Sequence, residues 1–262
     1  MKQVPPFTVV CEDDNIIVVN KSANVSVGGD RWDNSKERLD KLISAWMRAA
    51  PVQTAVTGNK LYTVHRIDRE TSGLVVFAKN EDAHRHLSLA FEERNVKKRY
   101  IAVVCGRPPW KETECDLPLV PNGNKRYMTI IDKFRGKASL TRFKLLGSAG
   151  NLSVLEASPE TGRTHQIRVH AAALGYPVAC DSLYGNDTPV MLSSFKKKYR
   201  GDLLEEKPLL ARLGLHALEI SLMLFSKNTN GFFSPDAFVA PLARDMAALI
   251  KQMEKEASIT LL

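Results

Sequence analysis

The alternation of apolar and polar positions along the chain predicts short strands separated by turns. Each run is rich in β-branched or aromatic residues and is bounded by turn-forming residues. The first two runs are joined by four polar residues at 12–15 and predict a hairpin. The predicted strands are 7–10, 16–20, 61–64, 74–79, 97–105, 137–146, 152–157 and 215–222.

Helices are predicted where apolar residues recur every three or four positions. They span 35–49, 80–94, 167–174 and 241–253. Asn80 is a favourable N-cap, Gly175 a favourable helix stop, and Pro241 suits a first helical turn. Loops are predicted at 53–60, at 108–136 with a turn at 122–126, and at 147–150. The mixture of strands and helices is compatible with an α+β fold but does not fix the strand order.

Composition is that of a folded globular protein, with 44% apolar and 25% charged residues among 262. No apolar run approaches the roughly 20 residues that span a bilayer, and no signal-peptide core follows the N-terminus. The four cysteines have neither zinc-site spacing nor a convincing disulfide pattern. We therefore expect a cytoplasmic protein with no membrane partner.

The net charge of +8 favours a polyanionic partner, with nucleic acid ahead of a membrane. Many mildly basic proteins bind no nucleic acid, so the charge favours a nucleic-acid partner only modestly. The basic run at 196–200 is usually a solvated surface, although an RNA contact there is plausible.

A dense polar segment at 65–73 interrupts two apolar runs. It reads His-Arg-Ile-Asp-Arg-Glu-Thr-Ser-Gly, and an ordinary turn needs only about four residues and few charges. Charged side chains are rarely buried unless they are paired. The segment therefore predicts a functional site, with Asp68 as its reactive candidate.

Two further segments carry candidate chemistry. Lys98 and Arg99 precede Tyr100 at the start of a strand, where an ordinary strand-start tyrosine beside solvated cations is the simpler interpretation. On a strand, Tyr100 shares a face with positions 102 and 104. Residues 160–170 lead into a helix, whose N-terminus together with Arg163 would attract an anion.

Three motifs resemble those of the RluA family of pseudouridine synthases, in matching order and spacing. They are His-Arg-Ile-Asp with Thr-Ser-Gly-Leu and Ala-Lys at 65–79, Lys-Arg-Tyr-Ile-Ala-Val-Val-Cys-Gly at 98–106, and Gly-Arg-Thr-His-Gln-Ile-Arg at 162–168. The family usually has Lys-Pro-x-Gly where this chain has Lys-Ser-Ala-Asn at 21–24. We expect this difference to loosen a turn without affecting the catalytic motif.

The resemblance implies roles for individual residues. Asp68 would be the catalytic aspartate, Arg168 its ionic partner, and Tyr100 the residue that contacts the base and serves as the proposed general base. Arg66 would occupy the space that a flipped-out uridine leaves. Other expected RNA contacts are Arg163, His165, Lys98 and Arg99.

The resemblance also implies the fold and the reaction. We expect one catalytic domain over 1–262, with a long, bent, mainly antiparallel sheet, flanking helices and a central RNA cleft. The hairpin and helix of 1–60 would pack on it, without a separate RNA-binding domain. The reaction would isomerise uridine in transfer RNA or large-subunit ribosomal RNA without cofactor or metal, and the protein would be a monomer.

Two other functions are compatible with the sequence. A hydrolase could use Asp68 with Glu70 or Glu160, but Glu70 is only two residues from Asp68, and Glu160 is explained by the entry to a helix. A non-catalytic RNA-binding protein could retain the fold, since fold does not determine function. Such a protein would not need Asp68, Tyr100 and Arg168 together.

Overall fold

The computed structural model describes residues 5–29, 37–49, 60–122, 128–222, 237–257 and 260–261. Its contacts divide the chain into two compact units. The first contains Met1–Lys98 and Ala217–Pro241, and the second contains Arg99–His216 and Leu242–Leu262. The single domain expected over 1–262 stays a prediction, as does a cleft for RNA.

The described residues form a mixed α+β structure, which confirms the predicted fold class. The helices are α1 (Leu39–Ala49), α2 (Glu81–Glu92), α3 (Gln166–Ala173) and α4 (Arg244–Ala257), with a 3-10 turn at Leu192–Ser194. The strands are β1 (Phe7–Glu12), β2 (Ile16–Lys21), β3 (Tyr62–Thr63), β4 (Ser72–Ala78), β5 (Val96–Cys105), β6 (Glu112–Cys115), β7 (Leu119–Pro121), β8 (Thr129–Ile131), β9 (Thr141–Ala149), β10 (Leu152–Pro159), β11 (Leu215–Leu222) and β12 (Ala237–Val239).

The sheet of the first unit has the strand order β1-β2-β4-β11, and β3 and β12 pair at its margins. The predicted hairpin is confirmed, because β1 and β2 pair antiparallel with a bulge near Cys11. Every residue of β4 is buried, since neighbouring strands occupy both of its edges. Helix α2 covers this sheet, and the predicted cap is confirmed by a 2.8 Å bond from the Ala83 N–H to Asn80 Oδ1.

The second unit has the antiparallel strand order β5-β10-β9-β6. Helix α3 packs on it through Ile167 and Ala171, which join an apolar cluster with Phe143 and Leu155. The predicted stop is confirmed at Gly175, whose φ is +88°. Strands β7 and β8 form a separate antiparallel pair.

Several predicted boundaries were wrong. The stretch 108–136 contains β6, β7 and β8, which are too short to give a periodic pattern. Strand β9 begins at Thr141 because the backbone of Leu140 is bonded to Glu160, Thr161 and Gln166 instead of continuing a ladder. It continues to Ala149, so the connection to β10 is a tight turn.

Helix α4 begins at Arg244, three residues after Pro241. The loop at 53–59, the first residues of the helix predicted from 35, and positions 123–126 of the predicted turn lie outside the described residues. No helix in the described part of the chain is long and apolar enough to cross a membrane.

Replacing Gly73 with alanine tests the packing of β4. Gly73 has φ +113°, and an added Cβ would meet the backbone of Ala217, with the nitrogen 2.6 Å away. We expect Gly73→Ala to lower the free energy of unfolding by at least about 3 kcal/mol. Urea denaturation measures this loss.

Gly175→Ala is the matched control. Gly175 also has a positive φ, but an added Cβ meets nothing within 4 Å. This variant should lose only about 1 kcal/mol, the cost of the left-handed conformation alone. Equal losses in the two variants would show that the contact with Ala217 is unimportant.

Candidate active site

His65 fixes the beginning of the first polar segment, which connects β3 to β4. Its Nε2 accepts the Val76 N–H at 2.9 Å, and its ring stacks on Phe91 of α2 at 4.7 Å. Because Nε2 is the acceptor, it carries no proton. Burial, with a smaller contribution from the Lys98 charge, lowers the pKa of His65 to about 3. His65 is therefore a neutral anchor between the segment and the sheet.

Asp68 lies on a tight turn within this segment. The preceding Ile67 is only 6% exposed, whereas Arg66 is exposed and Asp68 is half-buried. The turn closes with a 3.1 Å bond from the Thr71 N–H to the Asp68 carbonyl oxygen. Thr71 is itself buried. The Asp68 carboxylate is thus carried on a short backbone turn between the buried Ile67 and the buried Thr71.

The turn at residues 21–24, which we expected to be loosened, is hydrogen-bonded to the same segment. The Arg69 carbonyl oxygen accepts bonds from the Asn24 N–H at 2.7 Å and from Lys21 Nζ at 3.0 Å. The Arg69 Nε–H donates to the Asn24 carbonyl oxygen at 3.2 Å. Asn24 adopts φ +69°, a left-handed conformation that asparagine tolerates better than most residues. The turn is therefore closed and contacts the motif.

The beginning of β5 carries the second group of predicted residues. Tyr100 packs against the cluster that contains Ala102 and Val104, which confirms the predicted strand face. Arg99 Nη1 donates to Glu156 Oε2 at 3.1 Å. Burial lowers the pKa of Lys98. Arg99 is therefore paired with a neighbouring strand and is more constrained than a cation of a solvated basic run.

Gln166 organises the loop that enters α3. Its Oε1 accepts bonds from the Thr161 hydroxyl at 2.6 Å and from the Arg163 N–H at 3.0 Å. Its Nε2 donates to the Leu140 carbonyl oxygen and to Thr141 Oγ1, both at 2.9 Å. Gln166 is 4% exposed, so these bonds replace lost hydration.

Arg163 and His165 lie on this loop, as the motif predicts. The Arg163 guanidinium donates to the Ala138 carbonyl oxygen at 3.2 Å from Nη2. His165 adopts φ +54° immediately before α3, and its Nδ1 lies 2.8 Å from the Tyr184 hydroxyl. An RNA or anion contact of either residue stays a prediction.

Arg168 is bound to Asp181, a partner that the sequence motifs do not predict. Nε donates to Asp181 Oδ2 and Nη2 to Oδ1, both at 2.8 Å, and both side chains are nearly inaccessible to water. The only sequence signal was a carboxylate directly after the apolar run 178–180. A guanidinium has five N–H donors, so this fork is compatible with the expected Asp68 pair, which stays a prediction.

The Asp181 carboxylate is held in its charged form. Burial by itself would raise the pKa of Asp181. The hydrogen bonds and charge of Arg168, with the N–H groups of Leu183 and Tyr184, outweigh that effect and hold the pKa below its ordinary value. A charged pair is therefore maintained at neutral pH.

The carboxylates of the alternative hydrolase have different surroundings. Glu160 Oε1 accepts a bond from Arg142 Nη1 of β9, and Arg142 Nε also donates to Glu114. Glu160 is thus part of an exposed ion-pair network with Arg142 of β9 and Glu114 of β6. This pairing provides no function for Glu160 in catalysis.

The first unit thus carries a half-buried carboxylate on an anchored turn, and the second unit carries Tyr100 and the paired Arg168 guanidinium. A sequence model of the RNA pseudouridylate synthase family matches residues 15–173. The chain belongs to this family, whose members isomerise uridine in RNA to pseudouridine. The resemblance to RluA-type synthases is thereby confirmed.

Curated relatives carry more specific names. The chain is 31% identical over 258 residues to "Ribosomal large subunit pseudouridine synthase D" of Zymomonas mobilis, covering 95% of this chain and 73% of the relative. It is 34% identical over 255 residues to the protein of the same name from Neisseria meningitidis serogroup B, covering 96% of this chain and 62% of the relative. The chain thus spans about two thirds of the length of these relatives.

Solved structures support the fold. "Human RNA Pseudouridylate Synthase Domain Containing 4" superposes with a TM-score of 0.66 at 20% identity, covering 94% of this chain and 92% of that one. "Human RNA Pseudouridylate Synthase Domain Containing 1" gives 0.62 at 26% identity, covering 85% and 81%.

The neutral state of His65 predicts a pH-dependent stability. Its folded pKa of about 3 lies below the ordinary 6.5, so the unfolded chain binds the proton more tightly. The stability that depends on neutral His65 is fully present above pH 6.5 and is lost as the pH falls toward 3. We expect wild type to lose up to about 1.4 kcal/mol per pH unit more than His65→Gln in that window.

Urea denaturation of both proteins at pH 7, 6, 5 and 4 measures the difference. Because the other titrating groups are common to both proteins, the difference between the two curves isolates His65. Parallel curves would contradict a neutral, buried His65.

Proposed function

We propose that this protein is a pseudouridine synthase that acts on uridine in large-subunit ribosomal RNA. The observation that carries the proposal is the family match over 15–173, together with relatives of 31% and 34% identity whose names specify that RNA. The anchored Asp68 turn supports it, because it holds a carboxylate where the family motif requires one.

The reaction breaks one bond and forms another without net oxidation. The bond between the ribose C1′ and N1 of uracil breaks, the base rotates, and a bond forms between C1′ and C5. The proton on C5 then leaves, and N1 gains a proton. Asp68 would act as the nucleophile or stabilise positive charge on the sugar.

Arg168 and Tyr100 would assist in different ways. A guanidinium beside Asp68 would favour the ionised carboxylate and fix its orientation. Tyr100 would stack on the uracil and accept the C5 proton. Both side chains are already held within the second unit, so little ordering would be needed when substrate binds.

Access to the base requires its removal from folded RNA, which costs a few kcal/mol. Arg66 is exposed beside the Asp68 turn and is suited to occupy the vacated space. We further propose that the protein is a cytoplasmic monomer. Size-exclusion chromatography with light scattering tests the monomeric state.

Asp68→Asn tests the catalytic assignment because it preserves the side-chain shape and removes the charge. Uridine tritiated at C5 would be incorporated into ribosomal and transfer RNA, and tritium release would be measured with each RNA separately. We expect release from ribosomal RNA by wild type and a loss of at least about 10³-fold in Asp68→Asn, with unchanged folding.

Glu70→Gln, two positions away on the same segment, is the matched control and should retain most of the activity. Clear turnover by Asp68→Asn would refute the assignment. Release only from transfer RNA would replace the proposed substrate. RNA binding without release would support the non-catalytic alternative, and free uracil would support the hydrolase.

Arg66→Ala tests base flipping. We expect turnover at limiting substrate to fall about tenfold on folded RNA and much less on an unstructured oligonucleotide with the same uridine, because only the folded RNA has a space to fill. Arg85→Ala is the control, since it removes an exposed cation of α2 away from the turn. Equal losses of Arg66→Ala activity on both substrates would contradict the prediction.

A further inference from the structure

The Arg168 guanidinium is enclosed by two residues to which the family motifs assign no role. We infer that Asp181 and Tyr184 are positioning residues, which hold this guanidinium in a single orientation for the reaction. The inference rests on the proposed function, in which Arg168 acts beside Asp68.

Asp181 restricts Arg168 through a two-bond fork. Both bonds measure 2.8 Å and join Nε and Nη2 to different carboxylate oxygens, so rotation about the terminal bonds of Arg168 would break at least one of them. Asp181 cannot turn with it, because its Oδ1 also accepts the backbone N–H groups of Leu183 and Tyr184 at 3.0 and 3.1 Å. Four bonds therefore define the position of one carboxylate.

Tyr184 restricts the face of the same guanidinium. The Arg168 Cζ lies 5.2 Å from the centre of the Tyr184 ring, within the range of a cation–π contact. The Tyr184 hydroxyl accepts the Thr129 N–H at 2.8 Å and lies 2.8 Å from His165 Nδ1. The ring is therefore attached to β8 and to the residue immediately before α3.

Stability alone is a poor explanation for this cluster. Desolvating two charges is expensive, and apolar residues of similar volume are often as stable or more stable in such positions. However, the two-bond fork to Asp181 fixes the direction of the planar Arg168 guanidinium, and the Tyr184 ring fixes its tilt. The geometry thus points to orientation of Arg168 as the use of Asp181 and Tyr184.

Two variants separate the contributions. Asp181→Asn keeps an oxygen for the backbone N–H groups of the 181–184 turn but removes the charged fork. Tyr184→Phe keeps the ring over Arg168 and removes only the hydroxyl bonds. If Asp181→Asn fails to fold, Tyr184→Phe still tests the inference.

Steady-state tritium release on the RNA that wild type modifies provides the first measurement. We expect kcat to fall about 100-fold in Asp181→Asn and several-fold in Tyr184→Phe, because small misplacements of a catalytic group cost this much. KM should change less than about twofold. A loss entirely in KM, or an unchanged kcat, would overturn the inference.

Asp245→Asn is the matched control for damage to the fold. Asp245 forms the same type of fork with Arg212 in the second unit, with both distances 2.7 Å. Denaturant is added to Asp245→Asn until its folded fraction equals that of Asp181→Asn. The kcat of Asp245→Asn, calculated per folded molecule, should remain near the wild-type value. An equal loss in the control would indicate a structural effect and overturn the inference.

Hydrogen exchange of the Arg168 Nε–H, followed by NMR on nitrogen-15-labelled protein without RNA, provides a readout that needs no activity. We expect slow exchange in wild type, at least tenfold faster exchange in Asp181→Asn, and a smaller increase in Tyr184→Phe, which keeps the fork. Unchanged exchange would overturn the positioning role. If wild type releases no tritium, the proposed function fails, and the exchange rates still decide whether Asp181 and Tyr184 orient Arg168.

Discussion

Polar groups that leave water must find partners, and this requirement shapes both units of the protein. Lys21, Gln166, Arg168 and Asp181 are all buried, and each is hydrogen-bonded to side-chain or backbone atoms nearby. An unpaired polar group in such a position would destabilise the folded state by more than most apolar contacts stabilise it. The loops that carry the functional motifs are therefore fixed by bonds to their surroundings.

Under the proposed function, this fixation would serve catalysis. Asp68 lies on a turn whose neighbours are held by His65, Ile67 and the turn at 21–24, and the Arg168 side chain is held by Asp181. Groups that are already oriented lose little freedom when substrate binds, so more of the binding energy is available for the transition state. The buried charges therefore contribute orientation rather than stability.

The turn at 21–24 also depends on backbone hydrogen bonding. The Asn24 N–H bonds the Arg69 carbonyl oxygen while Asn24 adopts a left-handed conformation, which asparagine tolerates better than most residues. The bond depends on the backbone conformation of residue 24, and more than one residue type can adopt that conformation.

The sequence by itself determined the family, and through that resemblance the α+β class, because the family motifs are short and contiguous. It also determined the hairpin, the cap at Asn80 and the two polar segments, because these depend on local pattern. Only the tertiary structure revealed β6, β7 and β8, the Arg168–Asp181 fork and the link from Tyr184 to His165. The fork and the link join residues that are 13 and 19 positions apart. The three strands are too short to give a periodic pattern. Contacts between distant residues follow from how the chain folds back on itself, which local pattern does not encode.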